Sequence, residues 1–190
     1  VFYNRLNFVD YLIELGANVN LGDGEGLSPL HIAAIENLPG MIKALKDKGA
    51  DIEAKDKYGY TPLHLAADQG SFNAAQQLIY ASANVNSRSE WDGTPLHASV
   101  ANKNINMSRL LMINGAKLGL KDRLGRTSIH WAAEKGDLAI AKLLLTNGAK
   151  IDSKDNDGET ALHEAAQWGH LKLIQFFIGQ GANVNAVGSD

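Results

Sequence analysis

The sequence contains no cysteine among its 190 residues. This absence excludes disulfide bonds, a thiolate zinc site and a cysteine nucleophile. It does not identify the redox compartment, because a reduced cytosol is merely compatible with a chain that has no thiols. We expect a cytoplasmic location for this segment.

Long apolar runs and an excess of positive charge are absent as well. No apolar run approaches the roughly 20 residues that a membrane helix requires, and Asp10 and Glu14 interrupt the only stretch where a signal peptide could lie. With 18 Lys and Arg against 21 Asp and Glu, the formal net charge is -3, which supplies no broad positive field for polyanions. We therefore expect no nucleic-acid binding and no direct membrane insertion by this segment.

The residues that are present indicate a folded chain with an internal repeat. Apolar residues make up 45% and charged residues 21%, which supplies both a core and a solvated surface. A tetrapeptide that ends in histidine recurs every 33 residues, in five copies: Ser28-Pro29-Leu30-His31, Thr61-Pro62-Leu63-His64, Thr94-Pro95-Leu96-His97, Thr127-Ser128-Ile129-His130 and Thr160-Ala161-Leu162-His163. A small residue followed by alanine keeps the same step, from Gly16-Ala17 to Gly181-Ala182. Two independent sequence patterns that recur in the same register exclude a chance repeat.

Each tetrapeptide is typical of a helix start. Thr61 can act as the N-cap, Pro62 suits the first helical position, and His64 can reach back toward the cap. Ala66 and Ala67 then keep this first helix thin, so that neighbouring units can approach closely. A glycine ends it in most units, and a second helix with apolar residues at helical spacing follows, as in 138–145.

A 33-residue period that carries Thr-Pro-Leu-His followed by alanines resembles the ankyrin repeat. The resemblance covers nearly the whole chain and implies an all-α solenoid, in which helix-turn-helix units are joined by β-hairpin-like turns. We expect one domain, 1–190, with a partial repeat at 1–22 and full repeats at about 23–55, 56–88, 89–121, 122–154 and 155–187. The partial repeat holds only a second helix, with apolar residues Leu6, Phe8, Val9, Tyr11, Leu12 and Ile13. Since neither end has an evident polar cap, we expect the parent protein to continue in at least one direction.

Two units depart from the pattern. In the third full unit Asp92 stands where the others have the turn glycine, and Gly93 follows one place later, so we expect this turn to differ in shape. In the second unit Ser82 replaces the helix-ending glycine, at a cost of roughly 1 to 2 kcal/mol if it adopts a left-handed backbone. The same helix carries Ala74 and Ala75 where other units carry larger groups, which predicts a soft segment between Phe72 and Ser82.

The titratable residues have structural explanations. Packed helices lie about 8 to 10 Å apart, so consecutive periodic histidines are too distant to share a zinc ion at about 2 Å per ligand. The aspartates that recur at the period, Asp23, Asp56, Asp122 and Asp155, are typical of turn residues that bond nearby amides. The chain has no nucleophile elbow and no phosphate-binding glycine loop. We predict no enzyme activity, no metal, no cofactor and no small-molecule substrate.

Three asparagines follow valine in the links between units: Asn20, Asn86 and Asn185. They are similar to asparagines that a dioxygenase hydroxylates in ankyrin repeats of some animals. We interpret them instead as residues that stabilise the turn.

The positions that vary between units predict the binding surface. The resemblance implies a concave groove lined by the turn tips and the exposed end of the first helices. Eight candidate partner-binding residues occupy such positions: Lys57, Tyr58, Tyr60, Trp91, Arg123, Leu124, Arg126 and Trp168. Tyr, Trp and Arg are favoured at binding hot spots. We interpret Trp131, by contrast, mainly as packing between units.

These residues predict a protein-protein interaction module. Its partner would carry an apolar anchor and acidic residues opposite the basic tips. Two alternatives stay open at this point: turn-tip aromatics that only pack on adjacent turns, and a structural or regulatory segment of a larger channel, toxin, enzyme or bacterial effector. A large rigid side chain covers much area at little entropic cost, and successive turn tips share one face, which favours the binding surface.

Overall fold

A computed structural model describes residues 11, 12 and 14–188. Ten helices run between Pro29 and Gly179, and the described residues contain no β-strand. The helices are α1 Pro29–Ile35, α2 Pro39–Asp47, α3 Pro62–Gln69, α4 Phe72–Tyr80, α5 Pro95–Ala101, α6 Ile105–Ile113, α7 Ser128–Glu134, α8 Leu138–Thr146, α9 Ala161–Gln167 and α10 Leu171–Gly179. They form five pairs, one for each full unit, which confirms the all-α repeat fold.

Part of the predicted partial repeat, 1–22, lies outside the described residues. Leu6, Phe8, Val9 and Ile13 lie outside the described residues, whereas Tyr11 and Leu12 are helical. Among the described residues, each helix is too short or too polar to cross a lipid bilayer, and the longest between Pro29 and Gly179 have nine residues.

The periodic tetrapeptide caps every first helix. At α3, Thr61 has an extended backbone (φ -87°, ψ 165°) and Pro62 is the first helical residue. The backbone N–H of Thr61 donates to Nδ1 of His64 (3.1 Å), and the Thr61 hydroxyl lies 2.8 Å from the same nitrogen. The same box forms at the other four copies. The prediction that histidine reaches back to the cap is confirmed.

Three of these histidines, His31, His64 and His130, also contact the next unit. Because Nδ1 of His64 accepts from a backbone N–H, the ring hydrogen belongs on Nε2, which donates to the carbonyl of Gly93 at 3.1 Å. Equivalent bonds join His31 to Tyr60 (3.0 Å) and His130 to Glu159 (3.2 Å). The histidine therefore fastens a helix cap to the following turn, a role that sequence reasoning missed.

The helices form two rows. The first helices of consecutive units contact one another in one row, and the second helices do so in the other. Ala66, Ala67, Ala132 and Ala133 are fully buried where the first helices meet, because a methyl group lets two helices approach closely. The core is therefore a continuous band that runs along the stack.

The turn of the third unit keeps the shape of its neighbours, so the expectation that it would differ is wrong. Asp92 adopts φ 57°, close to the φ 73° of Gly59 in the preceding turn. The N–H of Ser89 donates to the carbonyl of Gly93 at 3.0 Å, as that of Asp56 does to Tyr60 at 3.0 Å. Aspartate tolerates the left-handed region, so the glycine is not needed there.

What changes in this turn is its first residue. In the preceding turn the carboxylate of Asp56 accepts from the N–H groups of Tyr58 (2.9 Å) and Tyr60 (2.8 Å), which confirms the predicted role of the periodic aspartates. Ser89 replaces that carboxylate, and its buried hydroxyl has no hydrogen-bond partner in the described part of the chain.

Candidate functional site

A groove of about 500 Å³ lies along the turns and first helices of the second, third and fourth full units. The turns contribute five of the eight predicted residues: Tyr60, Trp91, Arg123, Leu124 and Arg126. The helices contribute four apolar side chains, Leu65, Ala98, Ala101 and Trp131, and three polar ones, His64, Asp68 and His97. We call this cavity the turn groove.

Trp91 is the largest exposed apolar group at the rim of the turn groove. Its side chain is 56% exposed, and the guanidinium carbon of Arg123 lies 5.2 Å from the centre of its ring. The two tips are held side by side because the N–H of Arg123 donates to the carbonyl of Trp91 at 2.9 Å. Leu124, 57% exposed, follows directly. An apolar and cationic surface thus faces solvent at this rim.

Arg126 forms the floor of the turn groove and is not a free tip. Its side chain is only 15% exposed, with Nη1 2.8 Å from Oε2 of Glu134 and Nε 3.4 Å from Oδ2 of Asp122. Its guanidinium carbon lies 4.1 Å from the ring centre of Trp131. Its charge is therefore paired within the chain, which corrects the expectation that Arg126, as a basic tip, would face an acidic residue of the partner.

Trp131 is fixed by the same network. Its Nε1 donates to Oδ2 of Asp122 at 2.9 Å, and Lys135 lies on the ring (5.6 Å to the centre) while pairing with Glu134 at 2.7 Å. Trp131 is half-buried and borders the turn groove, so it both packs inside the stack and contributes to the cavity wall. Sequence reasoning missed the part of Glu134, because its contact with Arg126 joins a turn to the far end of α7.

The remaining three predicted residues lie outside the turn groove. Lys57 forms an ion pair with Glu25 of the preceding turn, and its ammonium lies 4.9 Å from the ring centre of Tyr58. Tyr58 is 45% exposed and adjoins the groove through Tyr60, at 6.4 Å between ring centres. Trp168 is 57% exposed beyond α9, in the fifth unit. The turn groove and Trp168 are therefore separate surfaces.

Two buried polar atoms in the wall of the turn groove have no partner in the described residues: Oγ of Ser89 and Nε2 of His97. Burial lowers the pKa of His97 to about 4, so its ring is neutral at pH 7. Both belong to the third unit, where serine replaces the periodic aspartate; that substitution was the signal available in the sequence. Within the described part of the chain, no group of three or more His, Asp or Glu side chains is placed to hold a metal ion.

A comparison with protein families matches the family described as ankyrin repeats (3 copies), over residues 1–89, 73–155 and 96–187. These overlapping segments cover the chain from residue 1 to residue 187. A comparison with curated proteins found no match. Ankyrin repeats generally act as protein-interaction modules, and their fold is typically non-catalytic. The period, the capped first helices and the family match agree: this chain belongs to the ankyrin repeat family.

Proposed function

We propose that this chain binds another protein through the turn groove. The observation that carries the proposal is the convergence of three aromatic rings, Tyr60, Trp91 and Trp131, from three successive units on one cavity of about 500 Å³. Ligand sites in proteins are typically concave and lined by apolar and aromatic groups with a few polar ones. The turn groove has this composition.

Two of the three rings of the turn groove, those of Tyr60 and Trp131, are already held in place. Trp131 is hydrogen-bonded to Asp122, and the ring of Tyr60 lies 5.7 Å from that of His64, measured between centres. Side chains that are ordered before binding lose little conformational entropy when a partner arrives. This arrangement supports a binding surface over a merely exposed apolar patch.

The charges of the site restrict the chemistry of the partner. Lys57 and Arg126 are paired with carboxylates of the chain itself, whereas Arg123 forms no ion pair among the described residues. We therefore infer a partner segment with an apolar or aromatic anchor beside Trp91 and one acidic residue opposite Arg123. The sequence also predicted acidic partner residues opposite the other basic tips. The cations at those tips, Lys57 and Arg126, are already paired within the chain.

The proposal is tested with the variant Trp91→Ala. A partner is first captured by affinity purification with mass spectrometry, and its affinity for each variant is then measured by titration calorimetry. Removal of a hot-spot side chain weakens binding by about 2 kcal/mol, roughly 30-fold in Kd. Because the ring is exposed, the helical circular dichroism should stay unchanged.

Trp168→Ala is the matched control for this experiment. Trp91 and Trp168 are the same residue type and almost equally exposed, at 56% and 57%, but Trp168 does not border the turn groove. We expect wild-type affinity for Trp168→Ala. If Trp91→Ala binds the partner as tightly as the wild type does, the turn groove is the wrong surface.

A further inference from the structure

The links between units are joined by a series of side-chain bonds, which we call the link ladder. In each rung, a side-chain oxygen accepts from the backbone N–H of the residue 31 positions later. Four rungs are present: Asn20 to Asp51 (2.8 Å), Glu53 to Asn84 (2.7 Å), Asn86 to Lys117 (2.8 Å) and Asp152 to Asn183 (2.9 Å). Each rung satisfies an amide that has no helical partner.

The rung expected between positions 119 and 150 is missing, because Gly119 stands where the other rungs have the accepting side chain. Glycine has no side chain to offer, and the N–H of Lys150, the expected donor, makes no hydrogen bond within the described residues. The carbonyl of Gly148 also lacks the bond that the Asn20 amide makes to Gly49 at 3.3 Å and the Asn86 amide to Gly115 at 3.0 Å. The two rungs whose acceptor is a carboxylate, those of Glu53 and Asp152, leave the equivalent carbonyl without such a bond as well, so the open N–H of Lys150 is what distinguishes this place.

A cavity of about 410 Å³ lies at this gap, bordered by Gly119 and Gly148. Three lysines line it, Lys121, Lys150 and Lys154, and no Asp or Glu does. Nζ of Lys121 donates to the carbonyl of Lys154 at 2.7 Å, and Nζ of Lys154 donates to the carbonyl of Val187 at 2.8 Å. Each bond fixes an ammonium group and leaves two of its N–H groups available. Among the described residues none of the three forms an ion pair.

We propose that this gap, the Gly119 gap, binds one carboxylate group of a protein partner. A carboxylate oxygen would accept from the N–H of Lys150, as a side-chain oxygen does in each of the four complete rungs. Charge-assisted hydrogen bonds from ammonium groups are about twice as strong as neutral ones, so three lysines without a counter-charge select an acid over an amide. The gap shares no residue with the turn groove, and this inference does not depend on the proposed function.

The experiment follows the backbone amide of Lys150 by NMR in the full 190-residue chain. The probe is a short peptide with a single Glu, blocked at both ends, and the matched probe carries Gln instead. We expect the Lys150 resonance to shift saturably with the Glu peptide and to shift little with the Gln peptide. Equal shifts with both peptides would contradict the proposal.

Gly119→Asn tests the geometry. A side chain at this position meets no atom within 4 Å at Cβ, and the φ of Gly119 is not left-handed, so asparagine can supply the missing rung as Asn20 and Asn86 do. Loss of a hydrogen bond to a charged group weakens binding of the Glu peptide about tenfold. Unchanged binding in this variant would overturn the proposal.

Two further variants test whether the Glu peptide binds at the Gly119 gap. Lys150→Gln removes one charge and should weaken the Glu peptide, which keeps the proposal testable even if Gly119→Asn fails to fold. Trp91→Ala should leave binding of the Glu peptide unchanged, so that failure of the turn groove and failure of the Gly119 gap are separate results. Tighter binding of inorganic phosphate than of the Glu peptide would overturn the assignment to a carboxylate.

Discussion

Four described residues other than glycine have a positive φ: Asn37, Ser82, Asp92 and Lys103. Two of them have side chains that are used in this conformation. Asn37 accepts from the N–H of Ala74 at 2.9 Å, and Asp92 pairs with Arg88 at 3.0 Å. Ser82 adopts φ 71°, as its sequence position predicts, and its hydroxyl makes no hydrogen bond among the described residues. The strain at Ser82 is therefore not offset by a local contact.

Replacing Ser82 by glycine should stabilise the protein. A left-handed backbone costs a residue with a Cβ roughly 1 to 2 kcal/mol, and glycine avoids this cost but loses more entropy on folding. We expect Ser82→Gly to raise the free energy of unfolding by about 1 kcal/mol, measured by urea denaturation. Ala81→Gly is the control: Ala81 has φ -78°, so this change should give no gain. A Ser82→Gly variant no more stable than the wild type would show that the strain is absent.

Single residues also show where sequence reasoning stopped. The shift of glycine from position 92 to position 93 indicated an altered turn, but the backbone needs only a residue that tolerates positive φ, and Asp92 does. Arg126 looked like a free tip because its partner Glu134 lies eight residues away on a helix. Sequence reasoning did not single out Gly119, because the oxygen that it lacks is visible only beside the complete rungs.

At the scale of elements, the start of each first helix could be predicted because all its determinants are local. Cap, proline and histidine lie within four residues, and their bonds form within the tetrapeptide. The turn groove could be predicted only in part. Five of its predicted residues meet there, since stacking aligns equivalent turns, but which of them stay exposed depends on ion pairs between a turn and a helix.

The second helices differ in how much apolar bulk they bury. In α4 the buried residues are Ala74, Ala75 and Leu78, whereas in α8 they are Ile140, Ala141 and Leu144. Both helices have nine residues, which makes them a matched pair. Burial of an extra branched side chain stabilises by about 1.5 to 3 kcal/mol, so α4 should open more readily than α8.

Hydrogen exchange measured by mass spectrometry or NMR tests this difference. We expect amides in Phe72–Ser82 to exchange at least about tenfold faster than those in 138–145, because local opening requires less free energy where fewer apolar contacts are lost. The first helices α3 and α7 serve as the internal reference, since their buried alanines are equivalent. Equal protection of α4 and α8 against hydrogen exchange would contradict the prediction of a soft segment.

At the scale of the molecule, the stack is held by contacts between neighbouring units. Each first helix packs on the first helix of the next unit, and four of the five periodic histidines add a bond from a helix cap to the turn or link that follows. In a solenoid, stability is the sum of such units and their interfaces. A change that weakens the same bond at several interfaces therefore acts on the whole chain at once.

A fall in pH should weaken the histidine bonds at several interfaces at once. Burial lowers the pKa of His64 and of His97 to about 4, and it also lowers the pKa of His31 and His130, against an ordinary value of 6.5. These rings are neutral in the folded chain and take up protons when it unfolds. The free energy of unfolding is therefore highest above pH 6.5 and falls as the pH is lowered toward 4. Protonation of Nδ1 would also break the hydrogen bond within the cap, since a protonated nitrogen cannot accept from the backbone N–H.

We expect the fall between pH 7 and pH 5 to amount to several kcal/mol in total, since one unit of pKa shift corresponds to about 1.4 kcal/mol. Urea denaturation at a series of pH values measures it, and the slope gives the number of protons taken up on unfolding. In His64→Asn that number should fall by up to about one, because one depressed site is gone. Burial raises the pKa of Glu164, so this carboxyl binds protons more readily in the folded chain and opposes the histidine slope instead of producing it. A free energy of unfolding that stays constant from pH 7 to pH 5 would mean that the buried histidines do not link stability to pH.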